Sequence, residues 1–251
     1  ACDSLCNFYE FTVEGNGTYI GLEKEARESH VEGFLIFSVA TNARQVEKVN
    51  SAIASLAELS RSHGFKTIGY AGMHQDYPDF EKEIDRCISI GLKGVKIHPD
   101  IQYIDIDDRK LFPLYEILDA KNMPLYLHMG DNRPMYRYSE PAKLVNVLKA
   151  FPHLQVVAAH MGGYKAWGDA EILLPGYDNL MFDLASVLEY ITPEHAERII
   201  GKFGSDRIMF GSDYPVTSID DEIKMFMRLK LTEKERENIL WNNAARFYGL
   251  E

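Results

Sequence analysis

The chain has 251 residues, of which 46% are hydrophobic, and a formal net charge of −11. This hydrophobic content is enough to bury a sizeable core, and eight-fold α/β barrels commonly use about 250 residues as one domain. An acidic surface repels phosphate backbones and anionic lipid, so we expect a small-molecule substrate and neither nucleic-acid nor membrane partners.

The cysteines are Cys2, Cys6 and Cys87, too few and too scattered for a disulfide framework. No secretory signal pattern opens the chain, and no apolar run approaches the roughly 20 residues that a membrane span needs. Because free thiols are typical of a reducing compartment, we expect a cytoplasmic protein.

Short β-branched or aromatic runs alternate along the chain with longer stretches of helical periodicity. Several short runs are apolar almost throughout, which is typical of parallel strands buried on both faces. The predicted strands are residues 34–40, 67–73, 94–100, 124–130, 155–161, 180–186 and 208–214.

Amphipathic helices are predicted between these strands. Thr192 followed by Pro193 suits a helix N-terminus, and Thr232 followed by Glu235 is a capping-box pattern. The predicted helices lie within residues 42–64, 79–91, 139–152, 192–204 and 231–250.

The β-α unit repeats about every 30 residues, which is the spacing of an eight-fold barrel. We therefore predict an α/β fold, a TIM-type (β/α)8 barrel that forms a single domain over residues 1–251. Seven strands are predicted rather than eight, and the segment before residue 34 has the pattern of loop and helix. We expect the first strand to lie upstream of Ala1.

Active sites of parallel α/β folds form at the carboxyl ends of the strands. Half of the eight histidines lie at those ends, and the other four lie in predicted helices or turns, where we expect surface residues. The histidines at the strand ends are His74, His98, His128 and His160, together with Lys96, Asp183 and Asp213.

Imidazole nitrogens and carboxylates are the ligands that zinc-like divalent ions prefer, and a bound ion lowers the pKa of a coordinated water. Each residue alone also fits a structural role: Asp213 could cap the following helix, and His98 could bond to backbone. The recurrence of such residues at successive strand ends favours a metal site.

The segments "GLKGVKIHPD", "YLHMGD", "VVAAHMGG", "FGSDYP" and "ILWNNAARFYGL" resemble the amidohydrolase superfamily, in its amidohydrolase 2 branch of metal-dependent (β/α)8 enzymes. The resemblance extends from about residue 34 to the end of the chain. That branch contains hydrolases, lactonases and hydratases, and also decarboxylases related to aminocarboxymuconate-semialdehyde decarboxylase.

The resemblance implies that His128 is a metal ligand and that Asp213 is a ligand or the base that handles the nucleophilic water. It implies that His160 is a catalytic histidine or a further ligand. The family's HxH pair at the end of strand one does not occur in this sequence. This departure again suggests a strand upstream of Ala1, or else a metal-free, non-catalytic barrel.

Substrate contacts are predicted for His74, Lys96, His98 and Arg133. Arg133 could bind a substrate carboxylate through two hydrogen bonds, although an ordinary solvated loop would have the same composition. A carboxylated Lys96 that bridges two metals is not expected, because "VKIHPD" resembles the mononuclear branch.

The first prediction for function is a hydrolase that uses one divalent metal ion to cleave a small polar ester, lactone or amide. Asp213 and His160 are its predicted catalytic residues. Zinc is the expected metal, and manganese or iron would suit the same N/O ligands. The alternative is a metal-dependent, non-oxidative decarboxylase of a small carboxylic acid. A homodimer is also expected, since barrels of this kind often pair.

Overall fold

The computed structural model describes residues 2–10 and 12–250. Its strands are all parallel and form a two-stranded and a six-stranded sheet, and within each sheet every strand pairs with the next in chain order. The short strands Lys66–Gly69 and Ala71–Gly72, which end the first sheet and begin the second, are parts of one run on either side of Tyr70, so the chain makes seven strand passes. The strands are β1 (Gly33–Ile36), β2 (Lys66–Gly69), β3 (Ala71–Gly72), β4 (Val95–Ile97), β5 (Leu125–Leu127), β6 (Val156–Ala158), β7 (Leu180–Asp183) and β8 (Ile208–Met209).

These passes coincide with the seven predicted strands, and their sequential parallel order is that of a (β/α)8 barrel wall, which confirms the predicted fold class. The strands are shorter than predicted. Residues 208–214 form a strand only over Ile208–Met209, and Asp213 has a left-handed backbone (φ +57°). Such a residue cannot continue a pleated ladder, so the chain leaves the sheet before Asp213.

Helices connect successive strands around the sheet. None of the described helices is long and apolar enough to cross a membrane. The helices are α1 (Cys2–Tyr9), α2 (Tyr19–Glu28), α3 (Val46–Ser62), α4 (Phe80–Ser89), α5 (Pro99–Gln102), α6 (Phe112–Ala120), α7 (Pro141–Ala150), α8 (Trp167–Leu173), α9 (Pro193–Phe203), α10 (Ile219–Met227), α11 (Glu233–Glu237) and α12 (Asn243–Tyr248).

Helices α9 and α11 begin at the capping residues that the sequence predicted. The Thr192 side chain accepts a hydrogen bond from the His195 amide, and Thr232 and Glu235 form the reciprocal capping box of α11. The helix predicted within residues 231–250 is interrupted, because a π-helical turn at Asn238–Asn242 separates α11 from α12.

Strand alternation divides the core into two layers. Side chains on one face of the sheet pack against the surrounding helices, and those on the other face form the barrel interior. Tyr70 and Tyr126 lie in this interior with Val157, and Tyr248 of α12 contacts Tyr70 edge-to-face at 5.9 Å between ring centroids. The C-terminal helix therefore packs on the inner layer of the barrel.

Candidate active site

Three of the predicted histidines meet at the carboxyl ends of adjacent strands. Because side chains alternate along a strand, Lys96 and His98 share the inner face of the barrel, as do Tyr126 and His128. The rings of His98 and His128 stack at 3.8 Å between centroids. His128 Nδ1 and His160 Nε2 are 3.1 Å apart. The strand ends thus bring His98, His128 and His160 together.

Both nitrogens of His128 and of His160 have polar neighbours. His160 Nδ1 is 2.7 Å from the Ala185 carbonyl oxygen, which can only accept, so His160 Nδ1 is protonated. His128 Nδ1 faces His160 Nε2, and His128 Nε2 is 3.1 Å from the Gly130 carbonyl oxygen. Burial lowers the pKa of His128 well below its usual range, so the neutral form is favoured.

A phenol from the N-terminal helix lies against His128 Nε2 as well. Tyr9 Oη is 3.1 Å from His128 Nε2 and 3.0 Å from His98 Nε2, so it bridges the two imidazoles. The other ring nitrogen of His98, Nδ1, is buried and has no hydrogen-bond partner among the described residues. Sequence reasoning did not identify Tyr9.

Asp100 completes a group that could hold a metal ion. Donor atoms of His98, Asp100 and His128 all lie within 4.8 Å of one another. Asp100 is fully buried and accepts a hydrogen bond from Ser139 Oγ at 2.6 Å. Burial, with the nearby charge of Asp131, raises the pKa of Asp100 to about 6. Two imidazoles and a carboxylate, with an unpartnered nitrogen on His98, fit a divalent cation.

The predicted ligand set overlaps this group only in part. His128 belongs to it, whereas His160 is hydrogen-bonded to His128 through its ring. Asp213 Oδ2 accepts from Ser186 Oγ at 2.9 Å. The charge of Asp213 contributes to raising the pKa of Tyr9, after burial and the charges of Asp100 and Asp131. The ligand and catalytic roles of His128, His160 and Asp213 stay predictions.

Lys96 lies in the barrel interior, two residues before His98. It is only 4% exposed, and its Nζ is 4.4 Å from the ring centroid of Tyr126 and 4.8 Å from that of Phe37. Burial lowers the pKa of Lys96 to about 8, against the opposing effect of Asp183 and Asp213. The ammonium is therefore still mostly protonated at neutral pH, and the substrate contact predicted for Lys96 stays a prediction.

Arg133 and His74 are the other two predicted substrate contacts. Arg133 donates to both carboxylate oxygens of Asp131, at 2.9 and 2.7 Å, and to the Phe8 carbonyl oxygen at 2.7 Å. His74 Nδ1 instead accepts the Asp76 amide at 3.2 Å, within its own turn. Arg133 thus joins α1 to Asp131, and no described hydrogen bond links His74 to the three histidines.

The turns after β6, β7 and β8 have an unusual backbone. His160 (φ +56°), Met161 (φ +54°), Ser186 (φ +51°) and Asp213 (φ +57°) are all left-handed, although none is glycine. Such conformations are strained, and they concentrate at functional sites. The carboxylate of Asp183 supports the first of these turns, because its Oδ1 accepts the His160 amide at 3.1 Å.

The fold and the strand-end chemistry agree with a comparison against protein families. A family model described as amidohydrolase, in the branch called amidohydrolase 2, matches residues 9–250. The chain belongs to the amidohydrolase family. This agrees with the resemblance seen in the sequence motifs, and the chain is an enzyme.

Characterised relatives of this amidohydrolase are named as decarboxylases. It is 24% identical to gamma-resorcylate decarboxylase of Polaromonas sp. over 85% of this chain and 79% of the relative. It is 23% identical to 2-amino-3-carboxymuconate-6-semialdehyde decarboxylase of Caenorhabditis elegans, over 68% of this chain and 58% of the relative. The chain thus spans less than two thirds of the second relative.

Solved structures share the fold of this amidohydrolase. An uncharacterised TIM-barrel protein of Bordetella bronchiseptica has a TM-score of 0.77 at 21% identity, over 93% of this chain and 83% of that one. 5-Carboxyvanillate decarboxylase of Novosphingobium aromaticivorans, complexed with manganese and 4-hydroxy-3-methoxy-5-nitrobenzoic acid, has a TM-score of 0.76 at 15% identity, over 98% and 87%. These similarities support the barrel fold.

The comparisons therefore favour one of the two predicted activities. Hydrolysis, which was the first prediction, is supported only by the name of the family, whereas the relatives are named for the alternative, decarboxylation. The family membership and the barrel fold are confirmed.

Proposed function

We propose that the protein is a divalent-metal-dependent, non-oxidative decarboxylase of a small acid whose carboxylate is attached to a ring or an alkene. The observation that carries this proposal is the buried His98–Asp100–His128 group, which lies at the carboxyl ends of two adjacent barrel strands. The names of the curated relatives support the reaction type.

The metal would be held by His128 together with His98 and Asp100, or with Asp213 as the family resemblance implies. We favour manganese over the predicted zinc, because two decarboxylase structures that share this fold contain manganese. When bound, a divalent ion supplies electrostatic stabilisation to the negative charge of the substrate.

The surrounding side chains provide the rest of the chemistry. The Lys96 ammonium, held over two aromatic rings, attracts an anionic substrate into the pocket. Arg133 offers a planar guanidinium to a carboxylate at the pocket mouth, in place of Asp131.

Loss of carbon dioxide leaves an electron pair on the substrate carbon, and that carbon must then take up a proton. His160 and Asp213 are the residues that we propose for this transfer. His160 has its ring nitrogens set by Ala185 and His128, and Asp213 is held by Ser186.

The direct test is decarboxylation of 2,6-dihydroxybenzoate by the full chain after reconstitution with Mn²⁺ or Zn²⁺. Carbon dioxide release and the phenolic product are followed together, beside a set of lactones and esters. We expect turnover that requires metal and that falls at least about 100-fold in His128→Asn. His153→Asn is the matched control, because His153 is an exposed histidine outside the site.

Other results would point elsewhere. Metal-dependent lactone or ester cleavage without decarboxylation would favour the predicted hydrolase. A folded protein that binds neither metal under any condition would support the non-catalytic barrel.

A further inference from the structure

One buried carboxylate holds the turn that contains His160. Asp183 is the last residue of β7, and it is only 3% exposed. Its Oδ1 accepts two backbone amides, that of His160 at 3.1 Å and that of Ala185 at 2.9 Å. Its Oδ2 accepts the hydroxyl of Tyr126, on β5. Three donors thus converge on Asp183, as a buried carboxylate requires.

Ala185 connects this carboxylate to the ring of His160. The Ala185 carbonyl oxygen lies 2.7 Å from His160 Nδ1, so the ring donates to it. Asp183 Oδ1 therefore fixes both ends of a hydrogen-bonded loop, namely the backbone of His160 and the backbone of the residue that accepts from its ring. Because the proton is held on Nδ1, the other nitrogen of His160, Nε2, faces His128 Nδ1 at 3.1 Å.

A local turn does not account for all of these contacts. An aspartate at a strand end often accepts the amide two residues later, and this explains the bond from Ala185 alone. His160 lies 23 residues before Asp183, and Tyr126 lies 57 residues before it. The carboxylate therefore joins the carboxyl ends of β5, β6 and β7, where the three histidines meet.

The backbone of His160 depends on such support. Its φ of +56° is left-handed, and a residue other than glycine keeps this conformation only where its surroundings impose it. Trp167 Nε1 donates to the His160 carbonyl oxygen at 2.9 Å. Trp167 thus holds the carbonyl side of His160, whereas Asp183 holds the amide side and, through Ala185, the ring.

We propose that Asp183 is a positioning residue that determines which ring nitrogen of His160 faces His128. It acts through the two backbone amides that share its Oδ1, and not by contact with the substrate. The inference rests on the proposed function for the catalytic role of His160, and on geometry alone for the orientation and tautomer of the ring.

The tautomer of His160 can be measured without turnover. The full chain, prepared without Mn²⁺, is labelled with ¹⁵N in its histidine rings, and the His160 signals are assigned with His160→Gln. Ring nitrogen spectra are recorded at a single pH of 7.5. In the wild type we expect a protonated, pyrrole-type Nδ1 and an unprotonated, pyridine-type Nε2.

Variants separate the hydrogen bonds of Asp183 from its charge. Asp183→Ala should reduce the Nδ1–H form of His160 at least about twofold, because the Ala185 carbonyl group is no longer fixed. Asp183→Asn is the matched conservative variant. Its amide oxygen can still accept both backbone amides, so it should retain the wild-type tautomer. Trp167→Phe should also retain it, because the hydrogen bonds of the ring are untouched.

Tyr126→Phe provides a second route if Asp183→Ala does not fold. It removes the hydroxyl that holds Asp183 Oδ2, and it should lower the Nδ1–H form of His160 in the same direction but by less.

A wild type whose His160 Nδ1 is pyridine-type would overturn the proposal. So would a folded Asp183→Ala with the wild-type tautomer, or, where that variant does not fold, an unchanged tautomer in Tyr126→Phe. An equal loss in Asp183→Asn and Asp183→Ala would also contradict it, because the charge would then be responsible. The expected tautomers in a protein that shows no decarboxylation would disprove the proposed function alone, so the two failures are distinguishable.

Discussion

The imidazole of His128 has its Nδ1 against His160 Nε2, and its Nε2 lies 3.1 Å from both the Gly130 carbonyl oxygen and Tyr9 Oη. Tyr9 Oη bonds at the same time to His98 Nε2. Any ion that binds at these two nitrogens has to displace the phenol. The residues that would bind the metal thus already have a competing partner within the chain.

Removal of the Tyr9 hydroxyl should therefore strengthen metal binding. Each neutral hydrogen bond contributes about 0.5–1.5 kcal/mol net, so Tyr9→Phe should raise Mn²⁺ affinity about tenfold. The measurement is a Mn²⁺ titration followed by electron paramagnetic resonance. Tyr103→Phe is the control, because Tyr103 is 60% exposed. Weaker binding in Tyr9→Phe would instead identify the phenol as a ligand.

The buried histidines also predict a pH dependence of stability in the metal-free protein. Burial lowers the pKa of His98 and of His128 well below the ordinary value of 6.5. Below pH 6.5 the unfolded chain binds protons that the folded chain does not, so the free energy of unfolding falls as the pH falls. The contribution of each histidine is up to about 1.4 kcal/mol per pH unit.

Urea unfolding at pH 7, 6 and 5 measures this contribution. The raised pKa values of Asp100 and Glu222 make the free energy of unfolding change with pH in the opposite direction. The prediction therefore compares variants with the wild type, and it does not concern the pH dependence of the wild type alone. His128→Gln should lose up to about 1.4 kcal/mol per pH unit of acid sensitivity. His153→Gln should match the wild type, and an equal effect in both variants would contradict the prediction.

Sequence reasoning located His98, His128 and His160 because each follows an apolar strand, and parallel strands end at the same rim. Tyr9 has no such signal. It lies 89 residues from His98 in a helix that precedes the first strand, and only tertiary packing brings it there. Asp100 did have a signal, a carboxylate two residues after His98 in "KIHPD".

At the scale of single helices, the local sequence predicted where helices begin better than it predicted interruptions within them. The cap residues Thr192 and Thr232 predicted the starts of α9 and α11. The π-helical turn at Asn238–Asn242 was not predictable, because it depends on tertiary contacts. The side-chain Nδ2 of Asn243, the residue that follows this turn, donates to the carbonyl oxygens of Ser205 and Ile208.

The capping box of α11 predicts a modest and local loss of stability on substitution. Thr232 Oγ1 accepts the Glu235 amide, and the Glu235 carboxylate accepts the Thr232 amide. Thr232→Ala should lower the free energy of unfolding by about 1 kcal/mol. Thr232→Ser retains the oxygen and should lose much less. Equal losses in the two variants, measured by urea unfolding, would contradict a capping role.

At the scale of the whole molecule, the continuous helix-facing core predicts that the chain unfolds as one unit. Phe182 of β7 is 2% exposed, and its ring stacks on Phe203 of α9 at 4.0 Å. Because the neighbours cannot fill the space, Phe182→Ala should cost about 3–5 kcal/mol.

Two probes can test whether that loss is shared by the whole chain. Fluorescence reports on Trp167 in α8 and on Trp241 near the C-terminus, and far-ultraviolet circular dichroism reports on all helices. The two transitions should coincide in the wild type and shift together in Phe182→Ala. Separate midpoints would contradict the predicted single domain over residues 1–251.

The left-handed residues that follow β6, β7 and β8 set a limit on how this enzyme could be made more robust. Substitution of Ser186 by glycine would relieve the strain of its left-handed backbone, and engineering for thermostability would readily select such a substitution. The same change would delete the hydroxyl that holds Asp213. Selection for heat resistance alone would therefore first replace residues at the carboxyl ends of the strands, where the candidate active site lies. Stabilising substitutions in this barrel should instead be sought in its helices.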